Sequence, residues 1–233
     1  MITLRGKGVS RGIAIEKLVF FEPSAFTAER KIVSDTAGER ERFNAARKTA
    51  GEQLDELSTV VVEKIGEKNA LLFEIHRMMI DDPDFRDPII KIIKNQRLCA
   101  EYAMMEAGIR LAQDFAEMDD EYMSERAADV RDVANRIIEI LSGTRQRITA
   151  GPEPAVLVAR DFGPSETVQF DRSKVLALVS QEGAANSHTA IFARTMGIPA
   201  IIGLGASLSP GLSGALAALD GETGELCITN LFI

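Results

Sequence analysis

The 233-residue sequence predicts an α/β domain interrupted by an all-α insertion. Three observations carry that fold class. Strand-like runs occupy both ends of the chain, the centre repeats apolar residues at helical spacing, and the opening strands are too few to form a stable sheet alone. The opening segment must therefore join the C-terminal strands. Residues 1–22 plus 144–233 become one discontinuous α/β domain and residues 23–143 an inserted helical bundle, a topology that favours two lobes.

Each element follows from local pattern. Glycines at 6, 8 and 12 and the run GIAIEKLVFF read as a short strand, a turn and a longer strand over residues 2–21. Helical periodicity takes over after Pro23. Phe43, Ala46, Ala50, Leu54, Leu57, Val61 and Ile65 recur three or four apart, tracing one face of a long helix that ends near Gly66. A second helix is expected over 69–80, stopped by Asp81, Asp82 and Pro83, and a short third over 84–95. Residues 98–118 keep the rhythm through Ala103, Ala107, Leu111 and Phe115. Asp119 or Asp120 suits the cap of the last helix and Glu121 its first turn. Its stripe is Met123, Ala127, Val130, Ala134, Ile137 and Leu141, closed by Gly143. After the linker GTRQRITAGPEP come a strand AVLVA, a PSET turn, a strand VLALV, the segment QEGAANSHTAIFARTMG, a strand AIIG and the hairpin ALAALDGETGELCI.

Composition narrows the function. A hydrophobic content of 45% supplies a core, and a net charge of −8, from 35 acidic against 27 basic residues, argues against nucleic acid or an anionic membrane. A basic partner suits it better. Cys99 and Cys227 lie far apart in apolar surroundings, which suggests neither a disulfide framework nor a thiolate metal site and fits a reducing, cytoplasmic setting. No apolar run approaches the roughly 20 residues that span a bilayer, and the N-terminus lacks the apolar core of a signal peptide.

The chain has only two histidines, and His188 sits where helix-start signals converge. Asn186 and Ser187 are both good N-caps, so His188 falls in the first helical turn. Unsatisfied backbone N–H groups and the positive end of the helix dipole favour an anion there and disfavour an imidazolium. A neutral imidazole is a nucleophile, and a phosphoryl group arriving on it meets ready donors. Gly183, Ala184 and Ala185 leave the approach open. Histidines at helix starts are more often caps or surface residues than catalysts, so position alone leaves both roles standing. His76 lies far upstream on another helix and no acidic or Cys cluster adds ligands, so no metal site is expected.

Three blocks carry a family resemblance: GAANSHTAIFARTMGIPAIIG, DDEYMSERAADVRD and GPSETVQF, in matching order. They resemble Enzyme I of the bacterial phosphoenolpyruvate-dependent sugar phosphotransferase system. The first block is also shared with phosphoenolpyruvate synthase and pyruvate phosphate dikinase, but Thr189 directly after the histidine looks like Enzyme I. The resemblance implies a swivelling phosphohistidine β/α domain carrying an inserted helical domain that docks the carrier protein HPr. It implies that His188 is phosphorylated on Nε2 and passes the group to HPr. Thr167 then corresponds to the threonine whose hydroxyl orients the free imidazole.

The stretch IHRMMIDDPDF sets Met78, Met79 and Phe85 beside Asp82 and Asp84, a mixture suited to a basic, partly apolar partner, although methionines at that spacing serve equally as core. By resemblance this stretch, with Tyr122, Met123 and Arg126, forms the HPr-docking face, and His76 takes an interface or capping role there. Arg194 points away from the imidazole, toward an expected acid on the neighbouring domain. Glu182 and Asn186 depart from the family pattern beside the histidine. In the family, phosphoenolpyruvate and Mg²⁺ bind a C-terminal β/α barrel that also makes the homodimer, and this chain ends after its last predicted strand. Alone it is expected to be a monomer without its own Mg²⁺ site. Two other readings share these residues: an Enzyme I-like module of a dihydroxyacetone kinase phosphocarrier subunit, and a non-catalytic HPr-type binding module.

Overall fold

The computed structural model describes residues 1–21, 28–119, 121–144, 153–185 and 187–229, with backbone alone at 64, 65, 121, 122, 124 and 125. Pro23, Asp120, most of the linker and Asn186 lie outside them. The chain divides into two compact units, Met1–Ser24 with Arg147–Ile233 and Ala25–Gln146. The opening segment forms three strands instead of two: β1 (Ile2–Arg5), β2 (Lys7–Ser10) and β3 (Ile13–Phe20).

The second unit holds five helices. α1 (Thr36–Ile65) starts at Asp35, whose carboxylate accepts from the N–H groups of Ala37 and Gly38 at 3.1 and 2.9 Å. Gly66, at φ 91°, separates α1 from α2 (Glu67–Asp81), a conformation in which a side chain is strained. Asp82 caps α3 (Pro83–Gln96), with Pro83 in its first turn where a missing N–H costs nothing. α4 (Ala100–Ala116) and α5 (Glu121–Ser142) follow. Phe43, Ala46, Ala50, Leu54 and Val61 of α1 are buried, against Ala70, Phe73 and Ile80 of α2 and Ala127, Val130, Ala134 and Ile137 of α5. α4 meets α5 closely because Gly108 has no side chain: a Cβ there would lie 2.9 Å from that of Ala134.

The first unit resumes with β4 (Ala155–Ala159), the short helix α6 (Pro164–Thr167), β5 (Val175–Ser180), α7 (His188–Met196), β6 (Ala200–Ile202), β7 (Leu216–Asp220) and β8 (Glu225–Thr229). The eight strands run in the order β1-β8-β7-β3-β4-β5-β6-β2, parallel from β3 to β6 and antiparallel elsewhere. β1 and β2 stand at opposite ends of that order, yet only Gly6 separates them. Consecutive Cα atoms are about 3.8 Å apart, so the sheet curls until its edges meet at this glycine. A Cβ on Gly6 would lie 2.5 Å from the Ile202 carbonyl oxygen, and its N–H donates to Gly224 at 2.9 Å. Alternate side chains point inward and form one core: Ala14 and Leu18, Val156 and Val158, Ala177 and Val179, Ala217 and Leu219, Leu226 and Ile228. β4 is buried on both faces. Phe162, Phe170 and Phe192 pack edge to face in sequence, 5.5 and 6.1 Å between ring centres, and fasten α7 over the segment that follows β4.

Candidate functional site

His188 is the first residue of α7 and is half-buried. Ser187 caps the helix, its Oγ accepting from the N–H of Ala190 at 3.3 Å. Arg194, expected to reach an acid on the other domain, donates instead to the carbonyl of Ala185 at 3.0 Å, just ahead of the histidine. Helical side chains slant toward the N-terminus, so a long one near the end of α7 reaches back along its own helix.

Thr189 points into a small polar floor. Its Oγ1 lies 3.2 Å from both Asp161 Oδ1 and the carbonyl of Phe162, which share a single hydroxyl proton. Asp161 also accepts from the N–H of Phe162 at 2.9 Å. Burial pushes the Asp161 carboxyl above its ordinary range, against the Phe162 and Thr189 donors; Glu182 adds to the rise and His188 opposes it. Gly183, at φ 115°, brings the loop after β5 beside this group: a Cβ there would lie 3.7 Å from Asp161 Oδ1 and from Ser187 Oγ. The departure at Glu182 is balanced locally, since Arg160 Nε lies 2.9 Å from its carboxylate on the surface. Asp161 was not foreseen; the only signal in the sequence is an acid between a buried strand and the PSET turn.

PSET forms α6, and Thr167 within it is 1% exposed. Its hydroxyl donates to the carbonyl of Pro164 at 3.0 Å. With its proton committed there, the Thr167 oxygen keeps only acceptor capacity.

The expected docking residues divide. Met78 is 73% exposed, Met79, Met123 and Arg126 are half-buried, and Asp82 and Asp84 are exposed, with Asp82 accepting from the N–H of Asp84 at 2.8 Å. The side chain of Tyr122 lies outside the described residues. Two are corrected by the structure. Phe85 is 4% exposed and belongs to the core between helices, where it lines a groove of about 420 Å³ beside Ile89, Met104 and Gly108. His76 is 0% exposed and reaches no surface. Its Nε2 lies 3.3 Å from Asp129 Oδ1 and its Nδ1 3.4 Å from Asp132 Oδ2, ion pairs without good hydrogen-bond geometry. Burial pushes this imidazole down, and the two carboxylates override it, raising it to about 9.

Among the described residues no group of three or more His, Cys, Asp or Glu side chains is placed to hold a metal ion. Nor is any described helix long and apolar enough to cross a membrane.

Residues 5–126 match the N-terminal segment of PEP-utilising enzymes and residues 151–224 their mobile domain. The phosphoenolpyruvate-protein phosphotransferase of Geobacillus stearothermophilus is 37% identical over 227 residues, 97% of this chain and 39% of the relative. That of Bacillus subtilis is 34% identical over 229 residues, 98% of this chain and 40% of the relative. The chain thus spans about two fifths of the length of these relatives. A solution NMR structure of an Enzyme I protein superposes with a TM-score of 0.74 at 32% identity, covering 97% of this chain and 92% of that one. The N-terminal domain of the nitrogen Enzyme 1 gives 0.64 at 26% identity, covering 97% and 93%. Matched over nearly all its length by both family segments and by these relatives, the chain belongs to the PEP-utilising enzyme family as a relative of the N-terminal domain of Enzyme I.

Proposed function

We propose that this chain carries a phosphoryl group on His188 and exchanges it with the carrier protein HPr, the inner steps of a route from phosphoenolpyruvate to sugar uptake. The observation that carries the reading is His188 at the first position of α7 behind Ser187, where backbone N–H groups lack intrahelical acceptors. The Nε2 lone pair attacks phosphorus, and the bond from phosphorus to the donor breaks. Its electron pair leaves with enolpyruvate when phosphoenolpyruvate is the donor, or with the HPr imidazole in the reverse direction. The proton on Nδ1 stays in place. The partly positive helix start faces the dianionic group, and Asp161 beneath the site is held by Thr189 and Phe162. Thr167 commits its proton to Pro164, so toward the imidazole its oxygen can only accept, which favours a proton on Nδ1 and a lone pair on Nε2. In this reading phosphoenolpyruvate and Mg²⁺ belong to a further domain of the longer relatives, and the exposed Met78, Asp82 and Asp84 with Met79, Met123 and Arg126 receive HPr.

The test is incubation with radiolabelled phospho-HPr and an alkaline gel that preserves the acid-labile bond. Label on wild type and none on His188→Ala supports the reading. A folded wild type that stays unlabelled with a cognate HPr sinks it and leaves a binding module.

A further inference from the structure

His76 takes part in no step above, yet it is a fully buried titratable side chain of the helical unit. It lies on α2 between two carboxylates of α5, with the ring of Phe73 at its edge, 6.0 Å between centres. Each ring nitrogen faces a different carboxylate. A neutral imidazole has one N–H, so one nitrogen would turn a lone pair toward a buried anion; only the imidazolium offers a donor to both. Charge balance agrees. Asp129 and Asp132, whose side chains are 3% and 8% exposed, set two buried carboxylates against the ring, and a cationic His76 offsets their charge. Among the described residues, Asp129 and Asp132 are the charges that act on this ring.

Asp129 is shared. Its Oδ1 faces His76, and its Oδ2 accepts from Arg126 Nη1 at 3.1 Å. The Arg126 side chain, 16% exposed, is the member of this chain of contacts that reaches solvent most fully. Whatever orders Asp129 therefore orders Arg126. Without the imidazolium, Asp129 would keep a buried oxygen with no partner and would rotate to engage Arg126 with both, drawing the guanidinium inward.

We propose that His76 is a positioning residue: a buried imidazolium that locks Asp129 so that Asp129 presents Arg126 to the docking carrier protein. The proposal rests on the docking role given above to Arg126.

Two measurements test it. ¹⁵N NMR of the wild-type imidazole should show both ring nitrogens of His76 protonated at pH 7 and still so at pH 8; a single protonated nitrogen at pH 7 overturns the proposal. Transfer from phospho-HPr to His188 is then followed against HPr concentration for wild type, His76→Gln, Asp132→Asn and Arg126→Gln. Arg126→Gln and a folded His76→Gln should each raise the half-saturating concentration by about tenfold, more than they lower the saturated rate. Asp132→Asn leaves Asp129 and Arg126 in place and should lower the His76 titration midpoint by about one unit, so half-saturation stays near wild type at pH 7 and rises severalfold over wild type only around pH 8.5. If Arg126→Gln weakens docking while His76→Gln at pH 7, or Asp132→Asn at pH 8.5 where His76→Gln does not fold, stays within twofold of wild type, the proposal is wrong and the docking reading stands. If Arg126→Gln itself stays within twofold, the docking role of Arg126 fails and the proposal falls with it.

Discussion

Alkaline pH should destabilise the helical unit, and the proton on His76 sets the size of the effect. Burial alone would lower this imidazole, but Asp129 and Asp132 raise it to about 9 in the folded protein, against 6.5 for an ordinary histidine. A group whose folded value is raised contributes in full below the unfolded value and loses that contribution as pH climbs through the folded one. At about 1.4 kcal/mol per unit, the gap corresponds to about 3 kcal/mol, present at pH 6 and gone near pH 10. Urea denaturation followed by circular dichroism at 222 nm, where helices dominate, measures it across that range. His76→Gln should be less stable at pH 6 by about that amount, since it removes the cation that faces two buried carboxylates. The gap between wild type and variant should close as pH rises. A gap that stays constant from pH 6 to 10 would refute the buried imidazolium and the charge balance that demands it.

Other consequences follow from the same structure. Gly221→Ala places a Cβ 1.9 Å from the carbonyl oxygen of Ser10, at the closure of the sheet, so it should cost several kcal/mol or abolish soluble expression, read by thermal melting. Phe43→Ala opens the core of the helical unit and should cost about 3–5 kcal/mol by urea denaturation. Ser187→Ala removes the cap of α7 and should cost about 1 kcal/mol, visible as faster hydrogen exchange at Ala190. Asp161→Asn keeps an acceptor for Thr189 and Phe162 while removing a charge that burial disfavours. It should melt at or above the wild-type temperature at pH 7, an advantage that fades as acid protonates the wild-type carboxyl. A clear loss at pH 7 would mean that the anion itself is required there.

Much of the fold was legible because the relevant signals are local. The spacing of Phe43, Ala46, Ala50 and Leu54 marks one face of a helix wherever it packs, and all four are buried. DGETG between two alternating runs writes its own hairpin, realised as β7 and β8. NSHTA announces a helix start before any tertiary contact exists, and His188 stands there. By itself, then, the sequence determined the helical centre, the strand-forming ends and the histidine at a helix start, since caps, periods and turns act within a few residues. Tertiary structure decided what depends on partners remote in sequence. Gly6 splits the opening segment into strands at opposite edges of a curled sheet only because Ile202 and Gly224 arrive beside it. Asp161 came beside Thr189, 28 residues on, and Thr167 gave its proton to a carbonyl on its own turn. Phe85 turned inward against α4, and His76, which looked like an interface residue, became a buried cation because α5 lays two carboxylates across its ring. No spacing along the chain encodes that charge, because the energy that holds the proton is set by burial and by groups that only folding brings together.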